Sequence, residues 1–515
     1  MNLREGNKLI FFFIVLVCIF LTFSHSLHQV AVNGGLALSE IIKYPEPVSP
    51  MKYYYFNSWT LLHQFSEFFL SLGFSVENIS RLILFLSTLC FALSSFIIVC
   101  RFTANRYLAF LVSILMLVLE KNFGDTDYPS LIFSNHSFGM FSLALSSLIF
   151  SLVLNKNYKS SGFFTLLLIS IHPVIGFWIL SILLFSTIVL KDKKINLDLF
   201  KGSIFGLAIV VLSLALFFSN NIGKLDFDSQ ILKTYMEFWD GHRNQSGYLH
   251  YEYLIKTFVL FIAINAYFVL LKQRKKSFFS ILLNSTIIFS SVIYLLYKFF
   301  PQIFPSLFIN AMPSRFLILH SFIGWPIIIS IIYVIFSQFQ VTKKFIKIFI
   351  FGVLIIYSVQ HYKNFIKVKN GFVLNIYEES QISDIDIFED ISNLNFDGYL
   401  VTTSDTVNYV NKYTLKPILL DTQSFDFIPY HPYLVQSTFE ILKDVYGVDI
   451  ENPPTRYNPN IPDSFIKKVF EGKDESDWNF LEKKYNVNYV VVPAEWKIKL
   501  DLFKNNKSFS IYKVK

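Results

Sequence analysis

Long apolar blocks, each followed by lysine or arginine, constrain this chain more than any other feature of its sequence. A helix needs about 20 mostly apolar residues to cross the hydrocarbon core of a bilayer. The pattern therefore predicts an α-helical polytopic membrane protein with about 11 transmembrane helices. The predicted segments are 8–24, 80–100, 106–120, 138–154, 161–172, 174–190, 199–219, 253–271, 277–299, 316–337 and 344–361.

The composition excludes three classes of protein. Of the 515 residues, 53% are hydrophobic and only 16% are charged, whereas soluble proteins carry about 25% charged residues. This balance excludes a soluble enzyme and a disordered chain. The three cysteines, Cys18, Cys90 and Cys100, all lie inside apolar blocks, which excludes a secreted disulfide scaffold.

The basic residues predict the orientation. They collect in alternate loops, which the positive-inside rule places in the cytoplasm, and the excess is therefore a topology signal rather than a nucleic-acid footprint. The N-terminus is then cytoplasmic. The outer loops are 25–79, 121–137, 220–252 and 300–315, and they belong to a transmembrane domain over 1–361. The cytoplasmic loops carry Arg4, Lys8, Arg101, Arg106, Lys156, Lys159, Lys191, Lys193, Lys194, Lys201, Lys272, Arg274, Lys275, Lys276, Lys343, Lys344 and Lys347.

Residues 362–515 have a different pattern, which predicts a small extracytoplasmic α/β domain. Short β-branched runs occur at 399–402, 417–420, 489–492 and 508–512. Helix-like segments near 434–446, 461–471 and 475–485 lie between them. Strands that alternate with helices indicate a partly parallel sheet.

The outer face holds the candidate catalytic residues. All ten histidines fall on that side of the predicted topology. Asp125 and Asp127 form a carboxylate pair that can act as a general base or bind a divalent cation such as Mg²⁺ or Mn²⁺. The same Gly-Asp-Thr-Asp-Tyr-Pro segment is also typical of a solvated turn. Glu40, in the first outer loop, is a third candidate carboxylate.

Candidate substrate-binding residues share this face. His172 lies in an apolar run, where its ring either contacts substrate or stabilises a kink at Pro173. Arg315 follows Pro313-Ser314, where its guanidinium either binds a phosphate or reaches lipid headgroups. The other candidates, in outer loops or at outer helix ends, are His136, Arg243 and His320. The segment Trp59–Leu72 is amphipathic, which is typical of a helix in the membrane interface.

The layout resembles the GT-C glycosyltransferases of lipid-linked sugars over the whole chain. It shares a cytoplasmic N-terminus, a long first outer loop, acids in the first two outer loops, paired short spans and an outer C-terminal α/β domain. Shorter motifs resemble bacterial relatives: Trp478-x-x-Leu481-x-x-x-Tyr485-Asn486-Val487-Asn488-Tyr489, the ending Phe509-Ser510-Ile511-Tyr512, and His172-Pro173-x-x-Gly176.

The resemblance implies transfer of a sugar from a polyprenyl-phosphate carrier to a glycan, lipid or protein acceptor at a bacterial cytoplasmic membrane. A carboxylate would deprotonate the acceptor, and Arg315, with His172 or Arg243, would neutralise the departing phosphate. One departure matters: the family carries an acid shortly after the first span, and here no acid lies between the first span and Glu40. A non-catalytic GT-C-like partner and a transporter of a lipid-linked glycan therefore stay open as alternatives.

Overall fold

The computed structural model describes a mostly helical chain with a small C-terminal sheet. It covers residues 5–24, 30–47, 49–118, 137–222, 228–239, 251–270, 278–304, 308, 317, 319–337, 352, 382–404, 406–407, 410, 413–421, 427–455 and 461–514. The described helices before residue 340 are α1 Glu5–Ser24, α2 Val30–Leu38, α3 Pro50–Asn57, α4 Leu61–Ser71, α5 Val76–Thr103, α6 Arg106–Val118, α7 Ser137–Leu154, α8 Tyr158–Ile171, α9 Pro173–Leu190, α10 Lys193–Asn220, α11 Ser229–Phe238, α12 Tyr251–Leu270, α13 Phe278–Phe299 and α14 Leu319–Ser337.

The apolar segments fold as helices. Ten of the eleven predicted segments coincide with α1, α5–α10 and α12–α14. The eleventh, 344–361, lies outside the described residues except for Gly352. Among the described helices, α5, α9, α10 and α13 are long and apolar enough to cross a membrane. The chain therefore has the apolar helices of a membrane protein, while the number of crossings stays a prediction.

Polar caps make two of these helices longer than their apolar cores. Ser75 accepts a hydrogen bond from the backbone of Asn78 at the start of α5. Asp192 accepts hydrogen bonds from the backbones of Lys194 and Ile195 at the start of α10. Such side chains satisfy the free N–H groups of a first turn, so each helix begins several residues before the apolar segment that predicted it.

The predicted break between two short spans is confirmed. Helix α8 ends at Ile171 and α9 begins at Pro173, with His172 between them in an extended conformation. Proline lacks the backbone N–H and clashes with the preceding turn of a continuous helix. The chain therefore forms two helices here rather than one.

Helices α8 and α10 pack in backbone contact. A Cβ atom on Gly202 would fall 1.8 Å from the carbonyl oxygen of Lys159, and one on Gly162 would fall 2.2 Å from that of Leu199. Gly206, four residues beyond Gly202, adds a third close approach. Small residues at this spacing let helix backbones approach closely in a bilayer. This pairing fixes α10 against the helix that leads to His172.

The C-terminal residues form a four-stranded mixed sheet flanked by helices. Strand β1 (Tyr399–Val401) pairs parallel with β2 (Val487–Pro493), and β4 (Phe509–Lys513) pairs antiparallel with β2 and with β3 (Asp501–Asn505). A parallel bridge joins Leu400 to Ile418. The helices are α15 Ile382–Asn393, α16 Val435–Tyr446, α17 Asp463–Gly472 and α18 Glu475–Tyr485. The partly parallel sheet and helices α16–α18 confirm the pattern in the sequence.

Helices cover both faces of this sheet. Leu400, Val491 and Ile511 face α15. Val401 and Val490 face the other side, in a core that also contains α16–α18. Successive residues of a strand point to opposite faces, which explains the division. The domain boundary at 361/362 remains a prediction, because 353–381 lie outside the described residues.

Candidate functional site

The segment predicted as the first outer loop, 25–79, packs directly on the C-terminal sheet through its described residues. Met51 and Tyr55 of α3 are buried in the same core as Tyr399 of β1. The Tyr399 hydroxyl accepts a hydrogen bond from the backbone N–H of Ser49 at 3.1 Å and lies 2.7 Å from the carbonyl oxygen of Pro45, to which it donates. Burial raises the pKa of Tyr399 to about 12. The phenol therefore stays neutral and fixes the loop to the sheet.

A second group of hydrogen bonds extends this contact. We call it the seam; its members are Asn57, Ser58, Ile222, His431 and Tyr433. The Asn57 amide donates to the Tyr433 hydroxyl at 2.9 Å and its oxygen accepts from the backbone of Ile222 at 3.2 Å. His431 lies 3.0 Å from both the Ser58 and Tyr433 hydroxyls. The seam thus joins the first outer loop, the end of α10 and the C-terminal domain.

The segment predicted as the third outer loop, 220–252, reaches the same core through α11. Tyr235 and Trp239 are almost completely buried against it. The Trp239 ring N–H donates to the backbone carbonyl of Ile450 at 3.0 Å, and its ring packs edge-on against Phe439. The two predicted outer loops and the C-terminal residues therefore contribute to one core.

Helix α4 points its polar side chains inward. The Gln64 amide donates to the backbone carbonyl of Ser213 at 2.7 Å, and the Ser213 hydroxyl donates back to the Gln64 oxygen. Ser213 lies seven residues before the end of α10, which corresponds to about 10 Å along a helix. Phe68 and Leu72 are each 58% exposed on the opposite side. Leu62 and Leu70 are buried together with Gln64, and the exposed apolar side chains are those that a membrane-interface helix would present to lipid.

His63 is the least exposed of the described titratable side chains in this loop. It is 1% exposed, and its ring lies between Tyr55 of α3 and Phe138 at the start of α7, with centroid distances of 6.1 and 5.4 Å. Burial, with a smaller contribution from nearby His431, lowers the pKa of His63 to about 3, and an interaction with the backbone of Tyr55 opposes this lowering. The imidazole is therefore neutral at physiological pH.

A pH-dependent stability is expected from this burial. The unfolded chain binds a proton at His63 below a pKa of about 6.5, while the folded protein binds it only near 3. Stability is therefore complete above pH 6.5 and falls as the pH drops towards 3. Between pH 7 and 5 the loss is about 2 kcal/mol. Thermal unfolding of His63→Leu should lack this component, while Gln64→Leu should retain it; equal pH profiles for wild type and His63→Leu would contradict it.

Three more groups at this site carry charge or ionise: Asp421, Tyr44 and Tyr55. Asp421 follows the strand segment 417–420. Burial raises the pKa values of Tyr44 and Tyr55, and the negative charge of Asp421 adds to both shifts. Both phenols therefore stay protonated. Their rings form a chain of contacts from His63 through Tyr55 and Tyr44 to Tyr399.

Two of the eight candidate residues from the sequence have described side chains. Glu40 lies two residues after the end of α2, is exposed, and has a φ of 55°. His172 is half-buried between α8 and α9. The hydroxyl of Thr60 donates to the carbonyl of the adjacent Ile171 at 2.8 Å. This contact brings His172 to the base of the first outer loop, whereas no described contact joins it to Glu40.

The other candidates lie outside the described side chains: Asp125, Asp127, His136, Arg243, Arg315 and His320. Their proposed grouping therefore stays a prediction. Among the described residues, no group of three or more His, Cys, Asp or Glu is placed to hold a metal ion.

The sequence reasoning missed His63, Tyr399, Asp421 and His431. A signal for His63 was present, since His63 and Ser66 are polar and share one face of α4 by their spacing. The sequence pattern gave no signal for Tyr399, Asp421 and His431. The residues that they contact lie more than 300 residues away in the chain or on other strands.

No protein-family model and no curated protein matches the chain. Among solved structures, the chain is similar to the crystal structure of the Archaeoglobus fulgidus oligosaccharyltransferase tethered with an acceptor peptide containing the NVT sequon via a disulfide bond. The two are 12% identical with a TM-score of 0.43, over 94% of this chain and 69% of the other. At these values the likeness assigns no residue of this chain to a role.

Proposed function

We propose that this protein is a membrane glycosyltransferase of the GT-C type. It moves a sugar from a polyprenyl-phosphate donor to an envelope glycan, lipid or protein acceptor on the outer face of a bacterial cytoplasmic membrane. The observation that carries the proposal is the shared core of Met51, Tyr55, Tyr235 and Trp239 with the C-terminal domain. This contact holds the polar groups of the seam beside apolar helices. A lipid-linked sugar has to bind at such a place.

The proposed chemistry uses residues chosen from the sequence. Asp125 or Asp127 deprotonates the acceptor hydroxyl, with Glu40 as the rival base. Arg315, aided by His172 or Arg243, neutralises the departing lipid phosphate, where charge develops in the transition state. His136 and His320 contact substrate. Asp125 and Asp127 also offer the carboxylate oxygens that Mg²⁺ and Mn²⁺ prefer; a bound cation there would stabilise negative charge on phosphate.

A specific observation favours a second candidate, a non-catalytic GT-C-like partner in envelope polysaccharide assembly. Helix α2 follows the first span and carries Asn33 but no acid, while Glu40 is exposed beyond its end. A partner protein of this kind would keep the hydrogen bonds of the seam. Its function would be unchanged when Asp125, Asp127 and Glu40 are replaced. A transporter of a lipid-linked glycan is the third candidate, and it would move substrate without changing its bonds.

Deletion of the gene tests the proposed function. Cells that lack the enzyme should accumulate a polyprenyl-phosphate sugar on the outer leaflet and lose one surface glycan or glycoconjugate. Mass spectrometry of the lipid extract and of the surface glycans gives both readouts. Unchanged lipid-linked sugars together with unchanged surface glycans would refute the proposal, and accumulation on the inner leaflet would favour the transporter.

The orientation is part of the proposal. A reporter fused after Lys276 should be cytoplasmic, and one fused after Lys515 should be extracytoplasmic, because alternate basic loops lie inside. Alkaline phosphatase and fluorescent-protein fusions measure the two sides. If both fusions report the same side, the number of crossings between them differs from the predicted number by an odd number. The placement of the site on the outer face is then wrong.

A further inference from the structure

The orientation of the Asn57 amide in the seam follows from its two partners. The backbone N–H of Ile222 can only donate, and it lies 3.2 Å from Asn57 Oδ1. The amide nitrogen therefore faces the Tyr433 hydroxyl, to which it donates at 2.9 Å. An amide held at both ends cannot turn over. Asn57 thus sets the direction of the hydrogen bonds that follow it in the seam.

This direction passes from Tyr433 to His431. The Tyr433 oxygen accepts from Asn57, and Tyr433 is only 5% exposed, so its own hydrogen needs an acceptor within the protein. His431 Nδ1 lies 3.0 Å away and supplies that acceptor. A neutral imidazole that accepts at Nδ1 carries its hydrogen at Nε2. His431 Nε2 therefore donates to the Ser58 hydroxyl oxygen at 3.0 Å.

The series of hydrogen bonds ends at Ser58. Among the residues that the structure describes, His431 is the one hydrogen-bond partner of the Ser58 hydroxyl. Because the Ser58 oxygen accepts from His431, its hydrogen is directed away from the seam. Asn57 and Tyr433 are buried, whereas Ser58 and His431 are half-buried. The series thus leads from the interior to a donor that a ligand can reach, and successive hydrogen bonds polarise and strengthen such a donor.

Aromatic rings border this donor. Tyr54 precedes Ser58 by four residues, which places both on one side of α3, and its ring packs edge-on against His431 at a centroid distance of 5.7 Å. Trp59 follows Ser58, and its ring N–H donates to the Ser213 hydroxyl of α10 at 3.1 Å. Both aromatic residues are half-buried. Aromatic side chains with a few directed polar groups are typical of sites for small ligands.

We propose that Tyr54, Ser58 and Trp59 form a binding site for a sugar ring, in which the Ser58 hydroxyl donates to an oxygen atom of the sugar. This inference rests on the proposed function and assigns residues to the sugar of the donor or acceptor. Asn57 and His431 are positioning residues, because they act through the direction of the Ser58 hydrogen. Since Nε2 of His431 carries a hydrogen, it takes no proton from Ser58, and the site binds sugar without a covalent intermediate.

Direct binding tests the site without requiring catalysis. The full-length protein in lipid nanodiscs is titrated with methyl glycosides of neutral hexoses and of N-acetylhexosamines, and with inorganic phosphate. At least one glycoside should raise the unfolding midpoint of the wild type by about 1–2 °C at tenfold its Kd. Ser58→Ala should bind this glycoside about five- to tenfold more weakly. Ser58→Thr keeps the hydroxyl and should bind within about twofold of the wild type.

Ser71→Ala is the matched control. Ser71 lies in the next helix, α4, is exposed, and donates its hydroxyl hydrogen to the backbone carbonyl of Phe68 at 2.7 Å. It is a serine of the same predicted outer loop whose hydrogen is already used within the protein. Its replacement should leave glycoside affinity within about twofold.

Tyr433→Phe tests the direction of the hydrogen bonds. The substitution keeps the ring and removes the donor to His431 Nδ1, so nothing in the seam then fixes the His431 hydrogen at Nε2. ¹⁵N NMR of the histidine-labelled protein distinguishes the two neutral forms of the ring, and the loss of signals in His431→Gln identifies those of His431. The wild type should show the hydrogen at Nε2. Tyr433→Phe should show both forms and bind the glycoside about two- to threefold more weakly.

Four results would overturn the site. They are no stabilisation of the wild type by any glycoside, undiminished binding by Ser58→Ala, a wild-type His431 with its hydrogen at Nδ1, and Ser58-dependent stabilisation by inorganic phosphate in place of a glycoside. The proposed function fails by a different readout, namely unchanged lipid-linked sugars in the deletion strain. A protein that binds neutral sugars and transfers none would keep this site and lose the enzyme.

Discussion

Replacing both Asp125 and Asp127 with asparagine is expected to lower the rate of sugar transfer by about 10²–10⁴, the usual cost of losing a positioned general base. The substitution removes charge and keeps side-chain shape. Membranes that carry the variant should contain the protein at its normal level. Transfer of labelled sugar from the polyprenyl-phosphate donor measures the loss.

Two further variants sharpen this test. Glu40→Gln should retain transfer, because Glu40 is exposed beyond the end of α2. If Glu40→Gln abolishes transfer and the double asparagine variant does not, Glu40 is the base. Arg315→Lys should lose less activity than Arg315→Ala, since lysine keeps the charge but not the two-pronged contact with phosphate. Full complementation of the deletion strain by all of these variants would favour the non-catalytic partner.

Gly202→Ala is expected to destabilise the protein by about 1–3 kcal/mol. The new Cβ atom would meet the carbonyl oxygen of Lys159 at 1.8 Å, and a backbone atom cannot rotate away as a side chain can. Helices α8 and α10 would have to separate. The thermal unfolding midpoint of the purified protein, with the yield of monodisperse material, measures the effect.

Gly324→Ala is the control for this substitution. Gly324 lies in the apolar helix α14, where the nearest atom to a new Cβ would be Leu260 Cδ2 at an ordinary 3.9 Å. Alanine is favoured over glycine in a helix by about 1 kcal/mol, so this variant should be neutral or stabilised. Equal destabilisation by the two variants would show that the α8–α10 contact is looser than described.

Much of the fold was accessible from the sequence, because membrane helices and buried strands carry strong local patterns. Ten apolar segments fold as helices, and the helix break at His172-Pro173 follows from the chemistry of proline. Strand β3 was missed, since all five of its residues are exposed and show no burial pattern. Helix α15 was missed as well, although one face of it, with Ile387 and Ile391, is buried.

The site was less accessible, because contacts between distant segments form it. Tyr399 meets Ser49 and Pro45 across some 350 residues, and no local pattern encodes that pairing. His63 was assigned to an amphipathic anchor because apolar residues dominate its segment. In a soluble protein the apolar face of an amphipathic helix points to the core, whereas at a membrane the polar face of such a helix can point inward. Of the two predicted site residues with described side chains, Glu40 belongs to the predicted first outer loop itself and His172 lies beside that loop through Thr60.

Reconstituted transfer tests the central claim most directly. The purified full-length protein in proteoliposomes is supplied with labelled polyprenyl-phosphate sugars and acceptor glycans extracted from the deletion strain. The account predicts that label moves from the lipid to the acceptor with the wild type, and that the Asp125→Asn/Asp127→Asn variant shows little transfer. If the folded wild-type protein moves no sugar from any of these donors, the protein is not a glycosyltransferase.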